Sequence, residues 1–368
     1  MTVGIAPATD ADIPAIRAFN ARLAKADAGF ELPETPRSLG VPREDGAPVW
    51  HEIFVAREGS DVRGGYALKR ELLRTGERQL EIWNLQIPLS EGIVNKAYAT
   101  LGIRLVQDAA AKHSHLYCLG MGSLKRPLPQ LLKRFKWTVE EVPFRFRVLR
   151  ANGFLRHIEF MRANPKRRMA LDVARFTGAG ALGVLAWRMR ARIAAPAYPA
   201  GFETNDVASF GADADSVFAS HAAKYGAVID RSAAALNVRF PSYDKRLIRI
   251  VVKIAGQVAG WLVLTRSQLK GHKQFGDMRL GCVVDGLCDP QYAGAVIRHA
   301  MERLDDEGVH LVVSNQTHSA WLESLRANGF MGGPSNFILA RSPALAAATP
   351  AMDQCHINRG DGDGPINL

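Results

Sequence analysis

The chain has 368 residues, 47% of them hydrophobic, which is enough for two domains with cores of their own and too apolar for a wholly disordered protein. Four scattered cysteines without a CxxC pair argue against a disulfide framework and a structural zinc site, so a reducing, cytoplasmic compartment and no metal are expected. The net charge of +11 is uneven: residues 150–192 hold ten Lys and Arg against two acidic side chains, while residues 193–368 hold sixteen against seventeen. A basic excess confined to one connecting segment does not suit a DNA-binding enzyme, and it favours a local contact with something anionic. The first twelve residues lack a basic stretch followed by an apolar core, so no secretory signal is expected.

Residues 3–6 form a short apolar strand. Thr9 then suits a helix N-cap, Asp10 and Asp12 favour a helix start, and Ile13, Ile16, Phe19 and Leu23 share one helical face. Residues 51–57 and 65–73 alternate around Gly59, Ser60 and Asp61, which predicts a hairpin. A third strand over 80–87 carries Trp83. Beyond Pro88, Ala97, Leu101, Leu105 and Ala109 recur every four residues, as a helix requires. A short strand over 115–119, a helix bearing Leu128, Leu131, Leu132 and Phe135, and a closing strand over 142–149 complete the first half.

The second half repeats this order. A helix over 217–225 precedes strands over 247–254 and 258–265, joined at Ala255-Gly256-Gln257. Then follow a third strand over 278–285, an amphipathic helix over 293–304, a strand over 310–314, a helix over 320–327 ended by Asn328-Gly329, and a strand over 337–340. The hairpins align as VAREGSDVRGGYALKR and VVKIAGQVAGWLVLTR, so the chain reads as two copies of one domain. The expected organisation is a domain over 1–150, a basic, partly apolar linker over 151–200, a domain over 201–345 and a tail over 346–368.

Within the linker, the apolar run 176–187 has twelve residues, short of the roughly 20 that a membrane span needs. Arg175, Arg188, Arg190 and Arg192 flank it. It suits either a packed linker helix or an interfacial anchor in which residues 156–192 meet an anionic membrane surface. In the tail, Asp361 and Asp363 resemble part of a calcium loop, but no Glu closes it and a terminal turn is expected. No GxSxG elbow is present to support a nucleophilic triad.

Taken in order, PATDADIPAIRAFN, VAREGSDVRGGYALKR and SAWLESLRANGF resemble the first strand and helix, the central hairpin and the late helix of the GNAT superfamily of acyl-CoA N-acyltransferases. The resemblance implies an α/β fold, α+β with a mixed sheet, in two tandem copies. It also implies transfer of an acyl group from acetyl-CoA or another acyl-CoA to an amine without a metal. The acceptor would be a small molecule or a saccharide, such as an amino sugar or a cell-envelope precursor in polysaccharide biosynthesis. In that family the third strand leaves backbone groups free for the pantetheine arm, which places Val283 and Val284 against it. The loop and helix start that follow hold the pyrophosphate, which places Gly294 and Arg298 there. Glu91 in the first copy and Asp289 in the second oppose an anion at that position.

Asp285, inside the apolar run VVDGL, is the candidate base, since burial would raise its pKa; the alternative is a strand-end turn with Gly286. Asn315, after the fifth strand, would face the cofactor or form a cap with Thr317 or Ser319. Tyr292 is a candidate proton donor or a buried filler. Glu81 is the analogous base in the first copy. Two other functions fit the same resemblance: a FemABX-like transferase using aminoacyl-tRNA, whose tRNA would want a broader basic surface, and a non-catalytic acyl-CoA or carbohydrate-binding module. The expected location is cytoplasmic, peripheral at the inner face of a membrane.

Overall fold

The computed structural model describes residues 3–39 and 46–362. It divides the chain into two compact units, one of Met1–Glu140 with Ile338–Thr349 and one of Glu141–Phe337 with Pro350–Leu368.

In unit 1 the expected hairpin is β2 (Trp50–Glu58) with β3 (Asp61–Thr75), turning at Gly59 with a left-handed φ of 60°. β1 (Gly4–Pro7) pairs with β2, and β4 (Arg78–Ser90) pairs with β3. β5 (Leu116–Leu119) lies parallel to β4. The order is β1-β2-β3-β4-β5-β15-β6, where β6 is Thr138–Glu141 and β15 is Ile338–Arg341. Because side chains alternate along a strand, Phe54, Tyr66, Leu68, Leu85 and Leu116 fall on one face, where α2 (Leu101–Lys112) packs Leu105 and Ala109. Trp83 belongs to this core and stacks on His113. On the opposite face α1 (Ile13–Lys25) buries Ile16, Phe19 and Leu23 against Val55 and Val62. α3 (Pro127–Arg134) precedes β6, and α12 (Pro343–Ala348) follows β15.

Unit 2 has the same plan. β10 (Leu247–Ile254) and β11 (Gln257–Gln268) turn at Ala255 and Gly256, whose φ values of 50° and 78° are the left-handed pair that a two-residue hairpin needs. β12 (Arg279–Cys288) pairs with β11, and β13 (Leu311–Asn315) lies parallel to β12. The order is β14-β7-β13-β12-β11-β10-β8, where β7 is Phe144–Val148, β8 Phe202–Asp206 and β14 Met331–Gly333. α10 (Ala293–Asp306) buries Val296, Ile297, Ala300 and Leu304, the expected inward stripe. α8 (Ala212–His221) and α11 (Ser319–Ala327) flank the sheet, with Trp321 fully buried. β9 (Ala227–Ile229), α9 (Ala233–Arg239) and β16 (Cys355–His356) have no counterpart among the expected elements.

The closing strands are exchanged. β7, expected to finish the first half, hydrogen-bonds to β13 and β14 in unit 2. β15, expected to finish the second half, pairs with β5 in unit 1. Each thereby covers a strand edge that would otherwise be open. Sequence continuity alone therefore misplaces the boundary at 150 and assigns 338–345 to the wrong unit. The tail is also divided, its first residues lying in unit 1 and those from Pro350 in unit 2.

The expected linker is four helices of unit 2: α4 (Ala151–His157), α5 (Glu159–Arg162), α6 (Pro165–Phe176) and α7 (Ala179–Ala194). The apolar run 176–187 is not one helix, because Gly178 breaks it with a φ of 77°. α7 is docked: Trp187 Nε1 donates to Gly329 O at 2.7 Å and Arg188 ion-pairs with Asp305.

A fragment of residues 1–150 lacks β15. The β5 amides that face β15, on the side away from β4, should exchange freely with solvent deuterium, and a peptide of residues 338–349 added in trans should restore their protection. Strong protection without the peptide would contradict the exchange of strands.

Candidate functional site

In both units the third strand parts from the parallel strand beside it. In unit 2 the β12–β13 pairing runs from Leu280–Leu311 to Cys282–Val313, after which β12 continues to Cys288 paired with β11 and no longer with β13. Val284 is bulged there, between the pairs Val263–Asp285 and Leu264–Val283. In unit 1, β4 meets β5 at Trp83–Leu116 and Asn84–Tyr117, then continues to Ser90. Ile87 and Pro88 form the bulge, between the pairs Gly65–Leu89 and Ala67–Gln86. Pro88 is tolerated because a bulge does not need its N–H. Ile87 has a φ of 48°, an outlier for a β-branched residue.

In unit 2 the chain itself fills the parting. Residues 355–361 run between the diverging strands, with His356 Nε2 2.7 Å from Gly286 O and Asn358 Nδ2 donating to Asp285 Oδ1 at 2.6 Å. On the β13 side Ile357 N donates to Thr317 Oγ1 at 3.0 Å, and Arg359 donates to Asn315 Oδ1 at 2.9 Å. Beneath this segment lies a closed ion cluster. Arg231 pairs with Asp285 at 2.9 Å and with Asp361 at 2.7 Å, and all three side chains have no solvent exposure. Gly360 permits the approach, since a Cβ there would lie 2.9 Å from the Phe240 ring and 3.2 Å from the Asp285 carboxylate.

Each predicted residue of the second copy is engaged in this packing. Asp285 sits in the ion cluster rather than on a surface that an amine could reach. Asn315 is buried beneath Arg359. Val283 and Val284 are fully buried, and Val283 O accepts from Ser314 Oγ at 3.0 Å. Gly294 is buried, and a Cβ on it would lie 2.5 Å from Pro196. Arg298 stacks over the Tyr198 ring at 4.4 Å and bonds Glu302 at 3.2 Å. Tyr292 packs partly buried on the core at the start of α10. Asp289 caps Gln291 N at 3.1 Å and ion-pairs with Lys224. Thus the structure gathers Asp285 and Asn315 onto the inserted tail and leaves Tyr292, Gly294 and Arg298 in packing roles.

The electrostatics follow from burial. Burial pushes the Asp285 carboxyl up, partly offset by Arg231. In Asp361 the same burial is outweighed by Arg231 and Arg239, which hold it below the ordinary carboxylate range. His356, fully buried beside Arg231, is lowered to about 3 and is neutral in the fold. Burial raises the Cys282 thiol to about 11. Arg231, His356, Asn358 and Asp361 were not expected as a cluster, because the run CHINRGDG has no periodicity to place it. Asp363 lies outside the described residues.

Unit 1 differs at each of these points. Asn84, at the last paired position before β4 and β5 separate, is 1% exposed, and neither amide atom has a hydrogen-bond partner among the described residues. An unmet buried amide costs about 1–3 kcal/mol. Across the strands lie Lys69, 3.3 Å from Glu71, and Tyr117, whose hydroxyl donates to Glu71. Glu91 does not oppose an anion as expected: it is buried and held by Arg22 at 3.0 Å and Arg63 at 3.2 Å. The N-terminus of α2 is open. Among the described residues Thr100 makes no side-chain cap, and a Cβ on Gly102 would meet only Ser90 Oγ, at 3.6 Å. Lys96 and Arg104 are exposed beside it. Glu81 is an exposed residue bonded to Arg70 and Trp83, not a buried base.

No family model matches the sequence, and no curated protein does. Among solved structures the chain is similar to a GCN5-related N-acetyltransferase from Anabaena variabilis, with a TM-score of 0.54 at 9% identity, covering 93% of this chain and 73% of that one. It is similar to Saccharomyces cerevisiae N-myristoyltransferase with bound myristoyl-CoA, with a TM-score of 0.50 at 11% identity, covering 99% and 84%. It is also similar to a probable N-acyltransferase from Enterococcus faecalis, with a TM-score of 0.50 at 8% identity, covering 94% and 73%. At these identities the likeness shows the fold.

Two outcomes test the closed cluster. Asp361→Ala leaves Arg231 and Arg239 short of counter-charge and should cost about 3–5 kcal/mol in denaturant unfolding. A loss below 1 kcal/mol would contradict the pairing. His356 titrates near 6.5 when unfolded and near 3 when folded, so the unfolded state binds the extra proton between those values. Its contribution is present in full above pH 6.5 and is lost as pH falls toward 3. His356→Gln should flatten the slope of stability against pH in that window by about 1.4 kcal/mol per pH unit. An unchanged slope would contradict the assignment.

Proposed function

The chain is a tandem two-unit protein of the GNAT fold, and from that premise we propose that it transfers an acyl group from acyl-CoA to an amine, with the acyl-CoA bound in unit 1. The observation that carries this reading is Asn84, a buried amide with neither of its atoms satisfied, at the position where β4 and β5 part. A buried donor and acceptor without partners is a rare cost in a folded protein, and a polar ligand that bonds both would remove it.

The surroundings fit such a ligand. The amide-rich pantetheine arm offers both acceptors and donors to Asn84. The open first turn of α2 offers backbone N–H groups and a positive helix end to a pyrophosphate, with Lys96 and Arg104 nearby. Arg22 and Arg63 neutralise Glu91, which removes the local repulsion. The bulge at Ile87 turns the β4 backbone where the strand is free of β5, and strained backbone of this kind clusters at ligand sites. When bound, acyl-CoA supplies a thioester carbonyl: the amine forms a C–N bond, the C–S bond breaks, and the thiol leaves with a proton. The equivalent groove of unit 2 serves a structural role, since residues 355–361 and Pro196 fill it.

Asn84→Leu separates the ligand role from a structural one. It removes an unsatisfied amide at similar volume, so thermal stability should stay level or rise. Acetyl-CoA affinity, measured by calorimetry, should fall by about tenfold, as the loss of about 1.4 kcal/mol of hydrogen bonding implies. Unchanged affinity would remove acyl-CoA from this cleft. A large loss of stability would make Asn84 a structural residue.

A further inference from the structure

We propose that the outward face of α6 and α7 is a docking surface for an anionic lipid bilayer, on which these helices lie rather than span. Each helix is apolar twice over. Its inner side is used within unit 2, through Leu171 on α6 and Trp187 and Ala191 on α7. Its outer side carries a second stripe. On α6 this is Met169, Val173 and Phe176, spaced by four and three residues; on α7 it is Leu182, Leu185, Met189 and Ile193, spaced by three, four and four. Such spacing sets each group on one helical face. All are exposed, Phe176 at 78% and Ile193 at 86%. Exposed apolar stripes of this kind mark an interaction surface.

The charge around the patch selects the occupant. Lys166, Arg167 and Arg168 are exposed at the start of α6, and Arg190 and Arg192 near the end of α7. Asp172, the acidic side chain of α6, is ion-paired with Arg162 at 2.8 Å. The segment 150–192 holds ten basic residues against two acidic ones, so a second copy docked here would set like charges against each other. An anionic bilayer satisfies both features: apolar side chains enter the boundary of headgroup and acyl chain, and arginines meet phosphates. The helices have 12 and 16 residues and meet at a bend of 76°. Neither reaches the roughly 20 residues of a span, and the bend suits a pair resting in the interface.

The test uses the full chain, sedimented with phosphatidylcholine vesicles made with or without one third phosphatidylglycerol, at low and physiological salt. The chain should pellet with the phosphatidylglycerol vesicles, and less at the higher salt. Arg190→Gln with Arg192→Gln should weaken binding at least tenfold, since each basic residue near such a surface contributes about fivefold. Phe176→Ser with Ile193→Ser should also weaken it, with thermal unfolding unchanged because both side chains are exposed. The proposal is overturned if the unmodified chain stays in solution at low salt, or if binding ignores both double variants. It is equally overturned if the apolar variant abolishes a dimer in sedimentation velocity while vesicles go unbound, which would make the patch a contact between copies. None of these outcomes depends on acyl-CoA binding.

Discussion

The guanidinium of Arg231 is held without solvent between the carboxylates of Asp285 and Asp361, and the arrangement of unit 2 depends on that pairing. A buried ion pair of this kind is costly to form and more costly to break, because removing one partner leaves an uncompensated charge in a dry environment. Its importance lies in what it joins. Asp285 belongs to the third strand, Arg231 follows β9, and Asp361 lies within the tail. With Asp361 fixed, Asn358 reaches Asp285, Arg359 reaches Asn315, and His356 is confined beneath Gly286 in a neutral state. The tail thus becomes an internal element, and the parting of β12 from β13 is filled by polar groups of the same chain.

The same local geometry has opposite outcomes in the two units. Both have a hairpin, a bulged third strand and a parallel neighbour that diverges after two or three paired positions. In unit 2 the polar groups exposed by that divergence are met by residues 355–361, and the start of α10 is covered where Pro196 meets Gly294. In unit 1 Asn84 is unmet, Ile87 is held at positive φ, and the start of α2 is uncapped. A duplicated fold can keep one groove for a ligand and use the other as a joint for its own tail. These differences are why acyl-CoA binding is proposed for unit 1, although most of the candidate residues named from the sequence lie in the second half.

Much of the architecture was legible. Both hairpins, the helix after each third strand and the repeated element order followed from period-two and period-3.6 patterning, which local sequence carries well. The exchange of β7 and β15 was not, because alternation identifies a strand and not the sheet that receives it. The apolar run VVDGL signals that Asp285 is buried and its carboxyl raised, but the partner that makes burial tolerable is a distant arginine with no local signature. Glu91 read as a repulsive charge because Arg22, far away in sequence, was not placed beside it. The signal for unit 1 was present in LEIWNLQIP, where an asparagine interrupts an apolar strand just before a proline. Nothing in that string indicates that the amide is left without partners.

A crystal structure with a non-hydrolysable acyl-CoA analogue decides directly which groove receives the thioester. Density should run along β4 beyond Asn84, with the pyrophosphate at residues 99–102, and residues 355–361 should stay bonded to Asp285 and Asn315. Density between β12 and β13, with those tail residues displaced, would contradict the account and return the chemistry to the second unit.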